Sequence, residues 1–272
     1  MASSTAEAQE AKPETAKSSV IAGELEKFGR LAATWWDPDG EMRPLHRLNP
    51  TRLAYLRDAA CHRFGRDPRA DRPLSGLTAV DIGCGGGLIS EPLARLGAEV
   101  LGIDATAESL EVARRHAAEA GLMETGKASA GPRLSYRQAT AEQLLTEGAS
   151  FDLVVTLEVV EHVADPAAFL GTCGRLVGDG GLLVLSTLNR TLKALALAKI
   201  GAEYVLRWLP AGTHDWRKFV RPHEAAAALR AAGLTVGDAS GLVYNPLTDG
   251  WRLAKRDLDV NYMMTGLRSQ DA

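Results

Sequence analysis

The chain of 272 residues has no basic surplus, no paired cysteines and no long apolar run, and each lack removes a class of protein. A formal net charge of −3 argues against a nucleic-acid binder, which neutralises phosphates with excess Lys and Arg. Its three cysteines, Cys61, Cys84 and Cys173, are far apart and have no CxxC spacing. They do not form a disulfide framework and fit a reducing compartment. No stretch reaches the roughly 18 apolar residues that a membrane-spanning helix needs. The first twenty residues lack arginine and an apolar h-region but carry Glu7, Glu10 and Glu14. Neither a signal peptide nor a mitochondrial transit peptide is expected there, so residues 1–20 read as a disordered tail of a cytoplasmic protein.

What is present is patterned. Ile21, Leu25, Phe28, Ala32 and Trp35 recur at helical spacing, and a second helix is expected from Pro50 with Asn49 as its cap. Residues 21–76 therefore read as a helical cover and linker, and 77–272 as the main domain. Strands are expected at 78–83, 99–104, 133–138, 151–157 and 181–187, with helices at about 88–96, 107–120, 166–176 and 221–233. Runs such as "FDLVVTL" and "GLLVLST" suit strands buried on both faces. The alternation implies a doubly wound α/β domain, largely parallel, with the tail "WRLAKRDLDVNYMMTGL" supplying an antiparallel edge.

The stretch "AVDIGCGGGLISEPLARLGAEVLGIDA" joins a first strand, a glycine turn, a helix and a second strand ending at Asp104. Gly83, Gly85, Gly86 and Gly87 let the backbone turn tightly against a ligand. Asp104, 21 residues after Gly83, can accept both hydroxyls of a ribose. The third glycine of a dinucleotide fingerprint is absent, because position 88 is Leu. Asp81, just before the turn, would repel a pyrophosphate but tolerate an ammonium and a sulfonium. These features favour S-adenosylmethionine (SAM) over a nicotinamide or flavin dinucleotide. Further on, Glu142 or a backbone amide in "QATAEQL" can address adenine, and Leu157 ends the fourth strand beside the same crevice.

Several blocks are more selective. "FGRLAATWWDPDGEMRPLHRLNPTRLAYL", "VDIGCGGG", "LEVVEHV", "STLNRT", "GAEYVLRWLPAGTHDW", "YNPLTD" and "DVNYMM" together resemble the ubiquinone-biosynthesis O-methyltransferases, from about residue 26 to 264. The resemblance implies a Rossmann-like class I methyltransferase sheet with a helical insertion after the fifth strand. It implies SAM as cofactor, bound through Arg52, Gly83, Gly85, Asp104 and Leu157, with Arg52 on the SAM carboxylate. The implied substrates are polyprenylated catechol and demethylubiquinol intermediates, and other quinone-biosynthesis proteins are expected as partners. A soluble phenolic substrate, a nucleotide-dependent oxidoreductase and a non-catalytic SAM-binding scaffold are the alternatives.

Methylating a phenol near neutral pH needs help with its proton, since a free phenol has a pKa of about 10. In "EVVEH", Glu158, Glu161 and His162 stand at i, i+3 and i+4, one face of a helix. Such a set is acceptable to Mg²⁺ or Zn²⁺, and the resemblance implies that metal site. The alternatives are His162 acting directly as the base, or acids that merely favour a helix start. Trp35 and Trp36 are either a substrate lid or core. His46 and His214 face the pocket or are structural, and His62, His116 and His223 read as surface positions. Residues 189–221 hold seven Lys/Arg against two acids in a chain of negative net charge. That segment is expected to dock on an anionic membrane surface, placing the enzyme peripherally on the inner face.

Overall fold

The computed structural model describes residues 18–123, 133–197 and 215–270. Helix α1 (Ala22–Leu31), a 3-10 turn (Ala32–Thr34) and helix α2 (Arg43–Arg63) precede the sheet. The alternating core follows as β1 (Thr78–Ile82), α3 (Ser90–Arg95), β2 (Glu99–Asp104), α4 (Ala107–Glu119) and β3 (Arg133–Gln138). It continues through α5 (Ala141–Thr146), β4 (Phe151–Leu157), a 3-10 turn (Val160–His162), α6 (Pro166–Arg175) and β5 (Val177–Leu188). After the one-turn α7 (Leu192–Ala194) come α8 (Pro222–Ala231), β6 (Thr235–Asn245), β7 (Gly250–Ala254) and β8 (Asn261–Leu267).

The strands form one sheet in the order β3-β2-β1-β4-β5-β8-β6-β7. The pairs from β3 to β5 are parallel, while β8 runs antiparallel to both β5 and β6. The tail supplies the antiparallel edge through β7, as expected. β8 is inserted between β5 and β6. The reason is the run "NYMMTG", which is buried at every position and needs cover on both faces.

Period-2 alternation divides the core. Ala79, Leu153, Val155, Leu182 and Val184 face α2, α3 and α4, packing with Leu56, Leu93 and Leu110. Val80, Ile82, Val154, Leu183 and Leu185 face the other layer with Phe169, Leu170 and Leu229. Cys61, Cys84 and Cys173 are all free and buried.

The second helix departs from expectation. It starts at Arg43, with Pro44 in its first turn, so Pro50 lies inside it. Pro44 meets the first-turn preference six residues before Pro50, because its missing N–H costs nothing there. Asn49 is thus not a cap. It is buried in the helix, and its Oδ1 accepts from Arg52 Nη1 at 3.3 Å.

Candidate active site

A cavity of about 730 Å³ opens beyond the carboxyl ends of β1, β2 and β4, under α1 and α2. Its floor is the glycine turn. Gly83 has φ +75°, and a Cβ there would stand 2.5 Å from Val159 Cγ2. Gly85 and Gly86 lie directly beneath the Trp35 indole, with no room for a side chain at either. The turn is drawn toward β2 by two amides, Gly83 N and Cys84 N, which donate to Ile103 O at 2.8 and 3.0 Å.

Asp104 completes the floor. Gly85 N donates to its Oδ2 at 2.9 Å and Thr106 N to its Oδ1 at 2.7 Å. Burial pushes its carboxyl up despite these amides. Asp104 lines the cavity, where its carboxylate oxygens can meet a vicinal diol. Behind it Asp81 is buried and accepts from Ser90 Oγ at 2.6 Å, and desolvation raises its pKa to about 7. Leu157, Ala139, Thr140 and Ala141 also line the cavity. Glu142 does not. It is buried in α5, with Oε2 lacking a hydrogen-bond partner among the described residues, so residues 139–141 rather than Glu142 face the cavity.

Arg52 and Glu158 form the opposite wall. Arg52 Nη2 lies 2.7 Å from Glu158 Oε1, with their side chains 3% and 19% exposed. Ser186 Oγ donates to the same oxygen at 2.6 Å, and Asn261 Nδ2 reaches both carboxylate oxygens at 3.0 Å. Glu158 needs a left-handed backbone, φ 56°, to enter this cradle. Arg52 Nε is buried without a hydrogen-bond partner among the described residues, a donor that a ligand carboxylate would satisfy. Ser186 and Asn261 were given no role from sequence, although "STLNRT" and "DVNYMM" contain them.

The stretch "EVVEH" is not the helix its spacing suggested. Glu158 precedes a 3-10 turn that spans only Val160–His162. The three side chains accordingly turn to different partners. Glu161 is buried, accepts from Thr187 Oγ1 at 2.7 Å, and leaves Oε1 without a hydrogen-bond partner. Burial, and then the nearby Glu158 charge, pushes its carboxyl up. His162 instead faces α1, with Nδ1 3.1 Å from Glu24 Oε2 and its ring edge-on to Phe28. That contact holds Glu24 down to about 2, mainly through the hydrogen bond. Arg52, Glu158 and His162 line the cavity with Gly83, Gly85 and Asp104, whereas Glu161 lies behind it. Among the described residues no group of three or more His, Cys, Asp or Glu is placed to hold a metal ion.

Residues 80–185 match the model of a methyltransferase domain. The chain is 54% identical over 252 residues to the ubiquinone biosynthesis O-methyltransferase of Mesorhizobium japonicum, covering 93% of this chain and 97% of that one. It is 52% identical over 255 residues to the protein of that name from Brucella ovis, covering 94% and 98%. The chain belongs to the ubiquinone biosynthesis O-methyltransferase family. It is a SAM-dependent O-methyltransferase, and the cofactor of the glycine turn is SAM. The magnesium protoporphyrin IX methyltransferase of Synechocystis PCC 6803 with bound SAH shares the fold. Its TM-score is 0.60 at 20% identity, covering 90% of this chain and 95% of that one.

In this methyltransferase the aromatic cover straps the glycine turn. Trp35 Nε1 donates to Ser109 Oγ at 3.3 Å, and Trp36 Nε1 donates to Gly86 O at 2.9 Å. Trp36 also stacks on His116, with ring centroids 3.5 Å apart, and His116 Nδ1 is 2.6 Å from the buried Glu91. His116 is thus a tether of the cover rather than a plain surface residue. His46 is structural, its Nε2 lying 2.9 Å from Trp35 O. His214 lies outside the described residues.

The described part of the basic segment is largely ion-paired. Arg190 pairs with Glu224, Lys193 with Asp257 and Asp259, and Lys218 with Glu24. Lys199 and Arg207 lie outside the described residues. No helix among those described is long and apolar enough to cross a membrane.

Proposed function

We propose that this O-methyltransferase moves the SAM methyl group onto a ring hydroxyl of a polyprenylated catechol or demethylubiquinol. The observation that carries this reading is the composition of one cavity. A polar floor and wall, with Gly83, Asp104, Arg52 and His162, faces an apolar wall of Ile21, Leu25, Phe28, Leu31, Met42 and Leu45. SAM needs the first, and a prenylated ring needs the second. The names of the relatives support the pathway. A soluble phenol would use only the polar end.

Within this reading Asp104 takes the ribose hydroxyls and Arg52 the SAM carboxylate. Chemistry then requires an oxygen held in line with the C–S bond and relieved of its proton. With Nδ1 engaged by Glu24, His162 accepts the phenolic proton at Nε2. The phenolate oxygen forms the new C–O bond as the sulfonium C–S bond breaks, leaving neutral SAH. The Glu24 carboxylate fixes the ring and stabilises the imidazolium that results. Mg²⁺ or Zn²⁺ does not fit this arrangement. Glu158 is already occupied by Arg52, Ser186 and Asn261, while Glu161 turns to Thr187 and His162 to Glu24.

Segment 189–221 is the proposed contact with anionic membrane, since the substrate resides there. The test is methyl transfer from labelled SAM in wild type and His162→Gln. Loss of turnover with SAM affinity retained supports the base, and full turnover in the variant overturns it.

A further inference from the structure

We infer that the β6–β7 hairpin, with Leu247 at its tip, is a rigid finger that inserts into an anionic lipid surface at the mouth of the cavity. This rests on the proposed membrane-resident substrate and adds to segment 189–221 a second contact, outside it.

Topology sets the finger's position. β6 runs parallel to β1–β5, so its carboxyl end stands on the rim where the cofactor cavity opens. Its pairing with β8 ends at Leu242↔Asn261, yet β6 continues through Val243, Tyr244 and Asn245, paired only with β7. Three further residues carry the hairpin about 10 Å past the sheet, at about 3.4 Å each. Tyr244, Pro246 and Trp251 from this finger line the cavity, so the tip and the substrate entrance are continuous.

The tip is stapled. Asn245 Oδ1 accepts from Leu247 N at 3.0 Å, and Tyr244 Oη donates to Asp249 Oδ1 at 2.7 Å. Arg47 of α2 pairs with Asp249, and Thr51 Oγ1 donates to Trp251 O at 3.2 Å. Such a staple would be expected to bury its apolar residue, but Leu247 is 94% exposed. The other exposed large apolar side chains among the described residues are Leu253 on β7, and Leu192 and Leu197 after β5 on the same rim. Isolated exposed leucines are ordinary, whereas four on two neighbouring rim segments mark a surface.

Charge selects the partner. Arg252, Lys255 and Arg256 are exposed and have no ion-pair partner among the described residues. The acids nearby are paired, Asp249 with Arg43 and Arg47, and Asp257 and Asp259 with the one Lys193. A fixed apolar tip with unmatched cations behind it fits an anionic bilayer.

The test is flotation of the full chain with vesicles of phosphatidylcholine and phosphatidylglycerol, against phosphatidylcholine alone. Leu247→Ser should weaken binding roughly tenfold or more. Arg252→Gln, Lys255→Gln and Arg256→Gln together should lose roughly fivefold per charge, on the anionic vesicles only. Turnover on a short-chain catechol in solution should be unchanged in both variants. If wild type floats and the hairpin variants float equally well, the finger is overturned and the membrane reading passes to 189–221. If wild type methylates the catechol but floats with neither vesicle, the membrane reading and the finger both fail. The methyltransferase assignment would survive either result.

Discussion

Arg52→Ala separates what one guanidinium does for the cofactor from what it does for the fold. Arg52 is nearly inaccessible and pairs with Glu158, and its Nε has no hydrogen-bond partner among the described residues. Removing one member of a buried pair costs about 3–5 kcal/mol when the other charge is left alone. Here Ser186 and Asn261 remain on Glu158, so a loss near about 2–3 kcal/mol is expected. For a chain of this size that corresponds to a fall in Tm of about 4–12 °C. The lost contact to the SAM carboxylate is charge-assisted, worth about 1.5–3 kcal/mol, or about 10- to 150-fold in Kd. Calorimetric titration with SAM below the lowered Tm reads the second effect. Glu158→Gln provides the control, because it removes the pair's charge but keeps the Arg52 donors. It should lose stability with a smaller change in SAM affinity. A folded Arg52→Ala chain that binds SAM as tightly as wild type would refute the assignment of Arg52.

Gly83→Ala should destabilise more than Gly76→Ala. Both have φ near +75° to +80°, but Gly76 has open space around it while Gly83 faces Val159. The backbone term is about 1–2 kcal/mol in each, so the excess seen by denaturant unfolding measures the Val159 contact. Asp81→Asn should change the pH dependence of stability without SAM. The folded pKa of Asp81 is raised, so the native state binds more protons between about 4 and about 7, and stability falls as pH rises through that window. The Asn variant lacks this fall and should gain on wild type from pH 4.5 to 7.5, whereas a constant difference would contradict it. Glu24→Gln should lower kcat roughly tenfold or more while leaving the Kd for SAM in place. Unchanged kcat would remove Glu24 from the positioning of His162.

The sheet was legible because its signals are local. Strands such as "FDLVVTL" carry their burial on both faces, and the glycine turn followed by Asp104 states its own geometry. Arg52, Gly83, Gly85, Asp104 and Leu157 do line one cavity, although four of them rested on fold topology and Arg52 on resemblance. What was misread depended on partners distant in sequence. The spacing in "EVVEH" fits a helical face, but a carboxylate pulled toward Arg52 and Asn261 forces Glu158 into φ 56° and ends the helix pattern. Asn49 has a capping side chain, yet Pro44 had already started the helix, which left Asn49 to hold Arg52. Glu142 sits at the right place in sequence but turns into the layer of α5 and α6. The Glu24–His162 contact spans 138 residues and had no local signal at all.

The most direct measurement is methyl transfer from labelled SAM to a series of demethylubiquinol analogues carrying zero, one or two isoprene units. Each added unit buries more apolar surface against Leu25, Phe28, Leu31 and Met42, so kcat/KM should rise along the series. Equal turnover across it, or preference for the unprenylated catechol, would contradict the account and point to a soluble phenolic substrate.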